Sequence, residues 1–289
     1  MTEPALFLDP LFRVPFLTGL LLAGALPVLG ALLLLRDEWL AALGLAHLAA
    51  AAALLGFAFG LPLVLGGSAG ALVGATGKSL FRATGNRVYG FMILGGWSSL
   101  LLVAANTALG DGLSHTLIDG QLYFAGLAEL AAAAALAATA AVSLPWLMPR
   151  LLRAHFFPRH ESANRLPAWR WHLGFDLLAA LGMAVGTATL GLMGAFALVL
   201  VPAWIAFRAA PSWGSALAIA AASGTLGYLV AFVLALGLDQ PFGPVLVAVL
   251  LIGATVVGAW GNTGTQSADA GPPADDETNV SGPDPRTSG

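Results

Sequence analysis

The chain has 289 residues, of which 58% are hydrophobic and 9% charged, a net charge of −3, and a mean hydropathy of +0.85. A water-soluble domain carries about a quarter of its residues as charges, so this composition excludes a water-facing surface of ordinary size and makes lipid the natural solvent. No cysteine is present, which excludes disulfides, thiolate metal sites and cysteine nucleophiles together.

A helix needs roughly 20 mostly apolar residues to cross about 30 Å of hydrocarbon. Nine stretches qualify in chain order: Val14–Leu35, Trp39–Phe59, Leu61–Ala75, Val88–Asn106, Leu122–Leu147, Trp171–Thr189, Leu190–Phe207, Ser215–Leu238 and Phe242–Trp260. The third is short and the break at Thr189–Gly194 is slight, so the expectation is an all-α polytopic bundle of eight or nine spans. The first stretch has no clear cleavage site and reads as a span, not a signal peptide. Ala, Gly and Leu dominate, which suits close helix packing where no large hydrophobic force acts between helices.

The basic residues set the expected orientation. Arg36, Lys78, Arg82, Arg87, Arg150, Arg153, Arg159, Arg165, Arg170 and Arg208 fall on one side of a nine-span chain, whereas Asp111, Asp119 and Asp239 lie in the opposite loops. The basic side is expected in the cytoplasm and the N-terminus outside. Residues 1–260 form the membrane domain, and the Gly-, Pro-, Asp- and Ser-rich 261–289 reads as a disordered cytoplasmic tail.

Few side chains inside the spans can carry chemistry. His47 lies ten residues past Asp37, roughly 15 Å along a helix and near the bilayer midplane, where an ionisable group faces a cavity or the bundle interior. Glu129 lies about seven residues into the fifth span and Asp176 about five into the sixth, each near enough to an end to reach water. Gly74–Ser79 mimics a phosphate-binding loop, but Leu72 stands where the motif needs its first glycine, and no strand precedes it.

Leu11–Gly60, with Leu35-Arg36 closing the first span and His47 in the second, resembles the opening of the metal-uptake ABC permeases of the zinc/manganese/iron class. Gly191–Pro211, around Pro202-Ala203, and Ser215–Ile252 are similar to that family's late helix and closing hairpin. The resemblance implies a transmembrane subunit that hydrolyses nothing itself. It would form the pathway with a second copy, be driven by a cytoplasmic ATPase and receive metal from an extracytoplasmic binding protein. It would sit in a bacterial inner membrane with its C-terminus in the cytoplasm, bind no nucleic acid and hold no cofactor, the divalent metal being cargo. His47 would contact that metal. The family's Gly-Asp-x-x-x-His signature is incomplete, because Ala42-Leu43 occupies the Gly-Asp positions. Glu129 is the expected substitute oxygen ligand. Gly110–His115 repeats the signature in an outer loop, where Asp111 and His115 would help receive an ion.

Within Pro149–Arg170 the resemblance also implies a short coupling helix that docks on the ATPase, formed by Glu161, Ser162, Ala163, Asn164, Arg165 and Leu166 between Pro158 and Pro167. The metal stays open: zinc leads, since it accepts histidine sites, while manganese and iron(II) want more oxygen. The rival readings are a stand-alone secondary metal transporter or channel and a non-transporting scaffold. Co-purification with an ATPase separates the first reading from both.

Overall fold

A computed structural model describes residues 10–81, 85–107, 110–120 and 122–266, with the side chains of residues 10, 111, 113, 162 and 260–266 left aside. The described residues are helical almost throughout: α1 (Pro10–Leu35), α2 (Leu40–Ala58), α3 (Leu63–Leu80), α4 (Asn86–Asn106), α5 (Gly110–Asp119), α6 (Leu127–Phe156), α7 (His160–Ala163), α8 (Trp169–Leu190), α9 (Leu192–Ala209), α10 (Trp213–Gly237) and α11 (Phe242–Gln266). Eight of these, all but α3, α5 and α7, are long and apolar enough to cross a membrane.

The excluded α3 has 18 residues, or about 27 Å of rise, and its hydropathy is diluted by glycines and Lys78. Position decides its role. From a tight turn after α2, α3 runs back along α2 from Gly66, against Ala53 and Gly56, to Gly74, against Leu48 and Leu45. It ends with Lys78 on Glu38, just before α2 begins. Whatever depth α2 crosses, α3 crosses too. It continues to Leu80, so Lys78, expected in a loop, is a buried helical residue.

The chain then weaves between two ends of the bundle. Asn86 ties the start of α4 to the α1–α2 turn: its Nδ2 donates to the Asp37 carbonyl at 3.0 Å and its Oδ1 accepts from the Leu40 amide at 3.4 Å. That turn passes through Asp37 at φ 55°, a left-handed conformation that aspartate tolerates. The slight break expected near Thr189 is a full reversal: α8 stops at Leu190 and α9 starts at Leu192. Gly191 between them has φ 80° and packs against the backbone of Ile118–Gly120, so both its conformation and its clearance call for glycine.

Two bundles share the core. In one, α2 lies between α3, α4 and α8; in the other, α1, α9, α10 and α11 pack together, with α8 and α9 joining them. Twelve of the 19 residues of α2 are buried, seven of them alanine, which lets three neighbours approach it at once. By contrast α4, α6 and α11 leave most of their apolar surface outside. α11 continues to Gln266, past the expected boundary at Trp260; residues 267–289 of the expected tail lie outside the described residues.

Candidate functional site

His47 stands midway along α2, almost fully buried. Gly96 of α4 packs against its backbone: a Cβ there would lie 2.6 Å from the His47 carbonyl carbon. The imidazole Nδ1 is 2.8 Å from the Leu43 carbonyl one turn back. A carbonyl can only accept, so Nδ1 carries the proton and Nε2 is left with its lone pair. This is the second-sphere arrangement that fixes a ligating histidine's tautomer. The Trp97 ring meets the imidazole edge-to-face at 5.8 Å. Leu43, in the place of the family's aspartate, is half-buried on the same side of α2.

The other expected metal-binding residues do not converge on His47. Glu129 sits in the first turn of α6, because that helix starts at Leu127 and not at Leu122. Its Oε2 accepts from the Gly126 amide at 2.8 Å and closes the helix N-terminus. Gly110–His115, expected as a loop, opens the short helix α5. His115 and Asp119 border a cavity of about 500 Å3 with Thr116, Gly120 and Phe124; the Asp111 side chain lies outside the described residues. Among the described residues, no three His, Asp or Glu side chains gather closely enough to hold a metal ion.

The segment expected to couple is a single helical turn, α7, and not a helix through Leu166. It ends because Arg165 adopts φ 50° and Pro167 follows. Glu161 anchors this turn to α8, its carboxylate accepting from Trp171 Nε1 at 2.7 Å and facing His172 Nε2 at 3.3 Å. Ala163, Asn164, Arg165 and Leu166 remain exposed.

A group that sequence reasoning did not assemble lies at the same end of the bundle. Asp176, expected near water, is buried and faces Arg36 Nη1 from its Oδ1 at 2.9 Å and Lys78 Nζ from its Oδ2 at 3.0 Å. Glu38 faces Arg36 Nη2 at 2.7 Å and Lys78 Nζ at 2.9 Å. Two cations and two carboxylates thus alternate in a closed ring joining the α1–α2 turn, α3 and α8. Phe175 lies under the Arg36 guanidinium and Tyr89 under the Lys78 ammonium, each at 5.1 Å. The ring borders a cavity of about 450 Å3 between α3, the end of α6 and the start of α8, with His155 and His172 on its other walls. No local pattern signals this group, since Arg36 and Lys78 read as loop residues and Asp176 as one within reach of water; only the path of α3 brings Lys78 to Glu38.

The family model for the ABC 3 transport family matches residues 9–260. The chain belongs to that family. The resemblance to metal-uptake ABC permeases therefore holds over the whole membrane domain, and the chain is a multi-pass transporter permease. This ABC 3 permease is similar in fold to PsaBC from Streptococcus pneumoniae in complex with Fab, with TM-score 0.76 and 15% identity over 88% of this chain and 95% of that one. It is also similar to a metal-chelate type ABC transporter in an inward-facing conformation, with TM-score 0.70 and 17% identity over 91% of this chain and 90% of that one. Among curated proteins none matches the permease by sequence.

Proposed function

We propose that the chain is the membrane-spanning subunit of an ATP-driven importer for a divalent transition metal, zinc in preference to manganese or iron(II). Two copies form the pathway in a bacterial inner membrane, a cytoplasmic ATPase drives them and an extracytoplasmic binding protein supplies the ion. The family match over residues 9–260 carries this reading. The proteins of similar fold, whose names include a metal-chelate type ABC transporter, support it. The basic end, with Arg36, Lys78 and the arginines of 150–170, faces the cytoplasm, and the exposed residues Ala163–Leu166 meet the ATPase there.

His47 meets the metal on its way. Its Nδ1–H is held by the Leu43 carbonyl, so Nε2 is the donor atom, and neutral imidazole with no carboxylate one turn away suits zinc better than manganese. His47→Ala should abolish metal uptake while the complex still assembles and basal ATP hydrolysis stays measurable. Leu43→Asp should restore the paired donor, tightening binding or moving preference toward manganese. Normal uptake by His47→Ala would remove the histidine from the pathway.

A further inference from the structure

The last turns of α6 carry two features that transport does not use. Its packed face runs Leu136, Ala140, Leu144, Leu147 and Leu151. On the opposite stripe, at helical spacing, stand Val142, Trp146, Arg150 and Arg153. Val142 is 80% and Trp146 51% exposed. Arg150 sits over the Trp146 ring, guanidinium carbon to ring centroid 4.0 Å, and donates from Nη1 to the Trp146 carbonyl at 2.6 Å. Higher up that stripe no hydroxyl asks for water, since Thr139 and Ser143 donate back to the carbonyls of Ala135 and Thr139.

Beyond Trp146 a cleft of about 250 Å3 opens between the end of α6, α7 and the start of α8, with Arg150, Arg153 and His160 on its walls. Among the described residues neither arginine is paired with a carboxylate. The one acid in the cleft, Glu161, is already engaged by Trp171 on the far wall and by His172, the next residue in the chain. The level is also telling. Arg150 comes 23 residues after the start of α6, roughly 35 Å along the axis, just past the roughly 30 Å of hydrocarbon. Trp146 is then in the interfacial layer where indoles concentrate, and the guanidiniums reach the phosphates.

We propose that this cleft is a binding site for the phosphate headgroup of an anionic membrane lipid, with the acyl chains lying along Trp146 and Val142. Arg150 and Arg153 supply the fork-shaped donors that match phosphate oxygens, and the preceding turns of α6 supply an apolar track with no polar group to satisfy. The proposal needs only the membrane-spanning fold and stands apart from the transport reading.

Native mass spectrometry of the full-length permease, released from nanodiscs of phosphatidylglycerol or of phosphatidylcholine, tests it. The wild type should retain phosphatidylglycerol selectively. R150Q/R153Q should lose that selectivity, roughly thirtyfold in affinity if each basic residue contributes its usual share, with phosphatidylcholine retention unchanged. His160→Gln should weaken retention less. Arg208→Gln, which alters an arginine stacked on Trp204 at 4.4 Å but outside the cleft, should change nothing. Millimolar inorganic phosphate should not displace the lipid; displacement would mean a free-anion site and overturn the lipid assignment. Unchanged phosphatidylglycerol retention by R150Q/R153Q overturns it as well, and so does retained lipid with lost ATPase or lost second copy, since the cleft would then be a protein contact.

Discussion

Removing one member of the charge ring should cost far more than removing two of opposite sign. Lys78 and Asp176 have side chains 6% and 7% exposed, and each touches both ring members of opposite charge within about 3 Å. At an effective dielectric near 20, one such contact is worth about 5 kcal/mol before desolvation, which takes back several kcal/mol per ion. Lys78→Met leaves Arg36 alone against two carboxylates, and Asp176→Leu leaves two cations against Glu38. Each should destabilise by about 3–5 kcal/mol, the range for breaking a buried pair. The double variant restores neutrality and keeps the Arg36–Glu38 contact at 2.7 Å. It should therefore lose no more than either single variant, a coupling of at least about 3 kcal/mol. The assay is a double-mutant cycle on denaturant unfolding of the purified permease in detergent, read by helicity. Additive losses, or singles costing under about 1 kcal/mol, would show that the four groups are solvated separately and would refute the reasoning.

Two smaller perturbations follow from local geometry. Tyr123 has a buried hydroxyl with no hydrogen-bond partner among the described residues, and burial pushes its phenol up to about 12. Its folded value lies above its unfolded value near 10, so the associated stability is complete below pH 10 and disappears as pH rises through 12. Tyr123→Phe should be neutral or stabilising by about 1 kcal/mol and should flatten that alkaline loss in thermal scans. Glu129→Ala should cost about 0.5–2 kcal/mol through the lost cap, whereas Glu129→Gln should keep it; metal uptake that changes in both variants while their stabilities differ would mark Glu129 as a ligand after all.

The spans were legible because lipid demands long apolar runs, and Leu40–Ala58 or Phe242–Ala259 can hardly be anything else. Their ends were less so. Lys78 reads as a loop residue until Glu38 and Asp176 supply partners from positions 40 before and 98 after it in the chain. Glu129 read as an intramembrane acid because Leu122–Phe124 is apolar, yet those residues form a separate 3-10 turn before α6. Gly110–His115 reads as a loop from its glycines, and tertiary packing against α4 holds it as a helix. His47 was legible as a residue, but its tautomer depends on Leu43 and its surroundings on Gly96 and Trp97, which no local pattern brings together.

The arrangement of charges in the ring also bears on how the bundle could open at that end. Arg36 and Glu38 ride on one turn and touch each other, while Lys78 and Asp176, on α3 and α8, touch at 3.0 Å. A seam drawn between the two pairs cuts the Arg36–Asp176 and Lys78–Glu38 contacts and leaves an electrically neutral couple on either bank. Neither bank would expose a lone ion, and neither would carry net charge through the membrane field, where each elementary charge is worth about 2.3 kcal/mol per 100 mV. A parting along this line would proceed with the same ease in an energised and a de-energised cell, leaving the voltage no lever on it.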